Sequence, residues 1–323
     1  GFIGKRLVAQ LVADGKKVRV LTRSRKSAAL EFEGLALDIA EGRHDDQAVL
    51  DKILPGIQTV YHLAKAVGEK WSDYVEADVK PTEVLARACV KHKVGRFIYT
   101  GTIDSYHSSD PQAVITGDTP VDTKIKRRNH YARSKATCEA LLTKLHKEEG
   151  LPLVILRPGI VIGRGSPPAH WGVGMFLSDT LVKFWGKGDN ALPLVLVDDV
   201  AQALVLAAKK PGIEGKSFLL TDKPLLTAQE YVGLVQKFSG TQIRQVPVSI
   251  LSYFLEDLLK EAVKNAIRHP NRKVPSYRDW GCRAHVSRYD ASATIEQLGW
   301  KPAGDKQAVI DQGIKAAVEY YYR

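Results

Sequence analysis

The sequence predicts an α/β fold, a doubly wound parallel sheet with a smaller C-terminal α/β lobe that holds substrate. Three observations carry this. Strand-like and helix-like patterns alternate along the first two thirds of the chain, the order expected of parallel β-α-β units. The chain opens on Gly1-Phe2-Ile3-Gly4, which runs at once into a helical pattern. Finally, Tyr131-Ala132-Arg133-Ser134-Lys135 sets a phenol and an ammonium one helical turn apart, after a strand-like segment that ends in hydroxyls.

Taken in order, Gly4 to Ala13 reads as a helix, with Leu7 and Leu11 one turn apart, and Lys17 to Thr22 reads as a strand. Gln47 to Leu54 is a short helix, and Thr59 to Leu63 alternates as a strand does. A helix over Val79 to His92 precedes the strand Gly95 to Gly101. The helix that opens near Tyr131 carries Cys138, Leu141, Leu142 and Leu145 as one apolar stripe and stops at Gly150 and Pro152. Pro152 to Arg157 is the next strand, and Val197 to Ala208 the next helix. Beyond Gly212 come helical segments at Ala228 to Phe238, Val248 to Ile267 and Gln307 to Tyr321, with strands at Ser217 to Leu220 and Gln242 to Val246. This divides the chain into a nucleotide-binding part, 1–211, with a substrate loop near 164–194, and a mostly substrate-binding lobe, 212–323.

Gly1 and Gly4 look like the last two glycines of a Gly-x-x-Gly-x-x-Gly turn, the kind that brings a pyrophosphate against a helix N-terminus. The first glycine and its central strand are absent, so the chain reads as one that continues upstream; without that strand a buried sheet edge is open.

Composition narrows the classes. With 323 residues and 44% apolar content, the chain can bury a large core. The most apolar stretch, Leu151 to Ile162, is interrupted by Arg157 and Pro158 and falls short of the roughly 18 residues a spanning helix needs, so no membrane span is expected. No leader pattern is visible, which makes the cytoplasm the default location. Three scattered cysteines, Cys89, Cys138 and Cys282, argue against a disulfide framework and against a metal site. The net charge of +11 is spread along the chain and forms no nucleic-acid motif. Two local concentrations stand out: Lys124, Lys126, Arg127 and Arg128, and, later, Lys264, Arg268, Arg272, Lys273, Arg278, Arg283 and Arg288. They are either a solvated surface or, if they flank the pocket, a preference for an anionic small-molecule substrate.

The Tyr131–Lys135 spacing puts both groups on one helix face, roughly 5 to 6 Å apart at Cβ. A nearby cation favours the phenolate, whose unperturbed pKa is near ~10, and so moves Tyr131 toward acid–base work near neutral pH. A second pair of this spacing, Tyr61 and Lys65, lies on a strand running into a turn, where the two need not share a face.

Together these residues resemble the extended short-chain dehydrogenase/reductase family, which includes nucleotide-sugar epimerases and dehydratases, 3β-hydroxysteroid dehydrogenases, and dihydroflavonol and cinnamoyl-CoA reductases. The likeness spans nearly the whole chain. Gly1-Phe2-Ile3-Gly4 resembles the cofactor turn, Asp38-Ile39 the adenine contact, and His62-Leu63-Ala64-Lys65 the family's His-Leu-Ala-Ala. Phe97 to Thr102 is similar to the strand that ends in the catalytic hydroxyl, and Arg157-Pro158-Gly159-Ile160-Val161-Ile162-Gly163 to Arg-Pro-x-x-x-x-Gly. Val197 to Ala201 and Leu298-Gly299-Trp300-Lys301-Pro302 match C-terminal signatures. Two departures concern the support of the active-site strand: Asp78 stands where the family usually has Asn, and Pro81 where it has Gly.

The resemblance implies a Rossmann-type fold and an NAD(P)-dependent oxidoreductase, with hydride transfer to or from a carbonyl or carbinol carbon. Tyr131 would move the proton, Lys135 would hold the nicotinamide ribose and lower the Tyr131 pKa, and Thr102 would bind the reacting oxygen, with Thr100 as the alternative hydroxyl. Cofactor contacts would come from Gly1, Phe2, Ile3, Gly4, Arg23, Asp38, Ile39, Leu63, Ala64, Lys65, Thr100, Tyr131, Lys135, Pro158, Ile160 and Val161. Thr22-Arg23-Ser24-Arg25-Lys26 has no acid to hold the ribose hydroxyls, which favours NADP over NAD. The substrate would meet Ser166 to Phe176. The resemblance also allows a homodimer. The other readings are a nucleotide-sugar epimerase or dehydratase, in which the hydride leaves and returns, and a cofactor-bound regulatory protein without turnover.

Overall fold

A computed structural model describes residues 1–221 and 226–322. Helix α1 (Phe2–Ala13) leads to β1 (Arg19–Thr22), α2 (Arg25–Glu31), β2 (Asp38–Glu41), α3 (Gln47–Ile53) and β3 (Thr59–His62). The short α4 (Trp71–Tyr74) passes through a π-helical turn, Val75–Val79, into α5 (Lys80–Lys91), which β4 (Arg96–Thr100) and the short β5 (Val114–Ile115) follow. Next come α6 (His130–Glu149), β6 (Leu153–Pro158), β7 (Ile160–Ile162), β8 (Gly174–Ser178), β9 (Leu181–Trp185), β10 (Leu194–Leu196) and α7 (Val197–Lys209). The remainder holds β11 (Ser217–Leu220), α8 (Ala228–Ser239), β12 (Arg244–Val248), α9 (Ile250–Ala266), α10 (Tyr277–Cys282), β13 (Arg288–Tyr289) and α11 (Ser292–Leu298). The chain closes on α12 (Lys306–Ala308), a π-helical stretch (Val309–Lys315) and α13 (Ala316–Tyr322).

The main sheet runs β11-β6-β4-β3, every pair parallel. Its two central strands are buried at every residue, which is why they read as continuous apolar runs. Pleating sends alternate residues to opposite faces. Ile98, Val154 and Leu156 join one core cluster with Leu7 and Leu11 of α1 and Val200 and Leu204 of α7. Phe97, Tyr99, Leu153 and Ile155 join another, with Leu50 of α3, Leu85 and Cys89 of α5, and Cys138 and Leu142 of α6. Helices on both faces of a parallel sheet make the fold doubly wound, as expected. Strands β1 and β2 pair in parallel as a separate ribbon.

The second lobe is interleaved with the first. Strand β11, which the division at 211 assigns to the lobe, lies in the main sheet beside β6. Strands β8 and β9, from the stretch read as a substrate loop, instead join β12 in the lobe's own sheet, with β8–β9 antiparallel and β9–β12 parallel. Strand β12 begins at Arg244, two residues later than the pattern suggested, and α9 starts only after Ser249 caps it. Among the described residues no helix is long and apolar enough to cross a membrane.

Candidate active site

Helix α6 is held at its start from two sides. The Asn129 side chain accepts the Ala132 amide at 2.9 Å, which caps the helix, while the Asn129 backbone N–H and Nδ2 both donate to Asp279 of α10, at 2.8 and 3.1 Å. At the other end Gly150 adopts φ 73°, the left-handed stop expected of glycine. Tyr131 is the second residue of this helix and Lys135 lies one turn further on, so the pair does share a face. Tyr61 does not form the rival pair, because it sits in β3 and Lys65 lies beyond the strand.

Thr102 follows β4 and caps a single 3-10 turn, accepting the Asp104 amide at 3.2 Å. Its hydroxyl stands near enough to the Tyr131 phenol to favour the phenolate. Burial pushes the Tyr131 pKa up to about 12; the Thr102 hydroxyl pulls it down, and Asp104 and Asp78 push it further up. The Lys135 ammonium is turned onto the Ala64 carbonyl at 2.8 Å and toward Asp78. Burial lowers the Lys135 pKa and Asp78 opposes that shift.

Asp78 sits in the π-helical turn between α4 and α5, where one extra residue per turn redirects a side chain. Its carboxylate accepts the Ser134 hydroxyl at 2.6 Å and lies 3.9 Å from Lys135. The helix face that carries Tyr131 and Lys135 is therefore anchored to the neighbouring α4–α5 segment by a carboxylate.

Arg157, read as part of a motif, is structural. It donates to both oxygens of Glu139 on α6, at 2.7 to 3.2 Å, and also to the Tyr106 hydroxyl and the Gly117 carbonyl. Gly101 lies over this pair: a Cβ there would collide with Glu139 Oε1, which Arg157 holds in place, so the position between Thr100 and Thr102 favours glycine. Arg128 is also buried, among Asp104, Asp122 and Asp279; Arg278 pairs with Asp122, and Arg283 with Asp279. These three arginines are thus each matched by carboxylates.

The residues named for a cofactor gather at the carboxyl ends of the parallel strands, with exceptions. Gly1 to Gly4 form the start of α1, whose first turn carries no acid. At Gly4 a Cβ would meet nothing closer than Leu63 Cδ1 at 3.6 Å, so the chain's own packing does not demand glycine there. Leu63, Ala64 and Lys65 follow β3, Thr100 ends β4 and Pro158 ends β6. The Thr100 hydroxyl is buried without a hydrogen-bond partner. Ile160 is a core residue, packed with Val173 and Leu194, and Val161 lies half-buried beside it in β7. Arg23 follows β1 and makes no hydrogen bond or ion pair among the described residues, while Arg25 donates to the Ile39 carbonyl. Asp38 is not brought to this end. It opens β2, opposite Arg19, and forms an ion pair with it, while Ile39 is the next residue in the strand. Gly42, Arg43 and His44 lie at the carboxyl end instead. A strand-end hydroxyl without a partner, a helix start free of acids and a buried lysine together fit a dinucleotide.

Residues 1–220 match the profile of the NAD dependent epimerase/dehydratase family. The chain belongs to that family. It is 25% identical to 2-alkyl-3-oxoalkanoate reductase of Shewanella oneidensis, over 98% of this chain and 82% of the relative. It is likewise 25% identical to sterol demethylase protein B of Methylococcus capsulatus, over 96% of this chain and 94% of that protein. Among solved structures it superposes on UDP-glucuronic acid 4-epimerase from Bacillus cereus, in complex with NAD, with a TM-score of 0.73 at 20% identity, covering 99% of this chain and 95% of the other. These likenesses bear out the extended short-chain dehydrogenase/reductase reading and the Rossmann-type fold. The chain is an enzyme of this family.

Two histidines lie near Asp104: His170, in the loop after Ser166, and His285, after α10. His170 Nδ1 accepts the Gly172 amide at 3.0 Å, and burial lowers its pKa to about 4. His285 is buried, bonded through Nδ1 to the Tyr289 hydroxyl at 2.9 Å, and burial lowers its pKa as well. Both sense the Asp104 carboxylate, beside Thr102. Trp171 is half exposed, packs edge-on against Trp185 and lies under Arg283. Sequence reasoning missed Glu139, Asp279 and His285, each of which looks like an ordinary polar residue until its buried partner is known.

Proposed function

We propose that this chain is an NADP-preferring carbonyl reductase acting on a small organic ketone. The observation that carries this reading is the Tyr131 phenol, set near the Thr102 hydroxyl and held as an acid by burial. A phenol that keeps its proton at neutral pH is suited to give it to a carbonyl oxygen as that oxygen gains charge. Nicotinamide, when bound, supplies the hydride at C4. Thr102 and Tyr131 would orient and protonate the substrate oxygen, Lys135 would hold the ribose, and Thr100, Leu63, Ala64, Pro158 and the start of α1 would line the cofactor. Gly1 to Gly4 would take the pyrophosphate. Arg23, free of any protein carboxylate, would pair with a 2′-phosphate, and Ile39 and Asp38 would not be needed for the adenine.

Because Arg128, Arg278 and Arg283 are already matched by carboxylates, these three arginines have little free charge to offer a diphosphate. That supports a substrate with an apolar body and an uncharged reacting end. A cytoplasmic location goes with this reading, as does a homodimer, by family resemblance. The decisive experiment follows NADPH absorbance with the purified chain and a panel of steroid ketones, β-keto acids, aromatic ketones and nucleotide sugars. Net oxidation with a ketone is expected; interconversion of a nucleotide sugar with no net change in absorbance would overturn the proposal in favour of an epimerase.

A further inference from the structure

Helix α9 is built the wrong way round for a water-soluble surface. Its inward positions, one turn apart, are Tyr253, Asp257 and Glu261, all buried. The inward carboxylates are satisfied locally: Asp257 takes Trp280 Nε1 at 3.2 Å and Lys273 at 3.1 Å, and Glu261 takes Lys264 at 2.7 Å and the Lys273 amide. The opposite face is apolar and open. Leu251, Leu255, Leu258, Leu259 and Val263 recur at helical spacing, and their relative exposures run from 40% to 69%. Ile267 follows at 66%, and Tyr277, edge-on to Phe254, extends the face at 53%. Single exposed leucines need no explanation, but a continuous stripe along four turns does.

The charges beside the stripe identify what covers it. Lys260, Arg268 and Arg272 are exposed and make no ion pair among the described residues, against one exposed acid, Glu256, on the same stretch. We infer that α9 lies flat on an anionic lipid bilayer, with its leucines among the acyl chains and Lys260, Arg268 and Arg272 at the headgroups. An interfacial helix needs an apolar face and a cationic rim, and no span long enough to cross the membrane. Self-association through the same face would set these cations near their copies. The inference goes beyond the reductase reading and does not require turnover to be measured.

The test is sedimentation of the 323-residue chain with vesicles of phosphatidylcholine alone, and of about two parts phosphatidylcholine to one of phosphatidylserine. Binding to the mixed vesicles is expected, falling with salt, and weaker by on the order of 10-fold on phosphatidylcholine alone. Leu255→Glu with Leu259→Glu should lower binding by on the order of 10-fold or more while leaving the melting curve unchanged, since both side chains are exposed. Lys260→Glu with Arg268→Glu and Arg272→Glu should abolish the preference for phosphatidylserine and leave the apolar face whole. A wild-type chain that stays in the supernatant with both vesicles would overturn the inference. So would leucine variants that bind as the wild type does, or a solution dimer that those variants split.

Discussion

Asp78 and Lys135 lie 3.9 Å apart, 1% and 2% exposed respectively, so this lysine carries a buried counter-ion of its own. The anion keeps the buried lysine charged and disfavours the phenolate: Asp78 raises the pKa of both Lys135 and Tyr131. An Asn at this position would keep the hydrogen bond to Ser134 and remove the charge.

Asp78→Asn should therefore lower the Tyr131 pKa. Reduction requires the phenol to be protonated, so the rate is maintained below that pKa and lost above it. With the wild-type value at about 12, the alkaline limb of kcat/KM should fall outside ordinary buffers, and in the variant it should move to lower pH. Profiles that coincide for the two proteins would show that Asp78 does not tune the proton donor.

Tyr131→Phe should lower kcat by about two or more orders of magnitude and leave NADPH affinity, measured by fluorescence titration, nearly unchanged. Lys135→Ala should weaken both. A Tyr131→Phe variant with normal turnover would remove Tyr131 from the chemistry.

Arg23→Asp should shift the ratio of kcat/KM for NADPH over NADH toward NADH, by losing a charge-assisted contact and adding repulsion to the 2′-phosphate. A wild type that already prefers NADH would end the argument before the variant is made.

Glu139→Gln should destabilise the fold by about 3 to 5 kcal/mol, because the Arg157 guanidinium would stay buried without its counter-charge. The readout is the midpoint of urea unfolding at constant slope, which separates a loss of stability from a change in the unfolded state.

Acid should destabilise the protein through His170. Its folded pKa, about 4, lies below the unfolded value near ~6.5, so the unfolded chain binds the extra proton first. Stability is full above the unfolded value and is lost as pH falls toward 4. His170→Phe should flatten the melting temperature across that window, and an unchanged slope would assign the loss to other groups.

The main sheet was legible because β4 and β6 are buried on both faces and so appear as unbroken apolar runs, and because Gly150 closes α6. Strand β2 was not, since Asp38 to Glu41 is short and exposed at both ends. The same short strand misled the assignment of Asp38, whose resemblance to an adenine contact carried no information about which end of the strand it occupies. The lobe's β8–β9 hairpin was hidden among glycines and aromatics that suit a loop equally well. Charged residues such as Glu139 and Asp279 read as surface until tertiary structure supplies their arginines, which no local pattern encodes.

The pairing of β9 with β12 bears on how the protein is made. A parallel partner for Leu181–Trp185 exists only after Val248 has left the ribosome, and in between the chain must return to the first sheet to lay down β11. During synthesis, Val182, Phe184 and Trp185 therefore wait without their final cover while the nucleotide-binding half condenses beside them. A stall between Leu220 and Arg244 would leave that strand edge open to neighbouring chains, so this interval is where a chaperone would matter most for the yield of active enzyme.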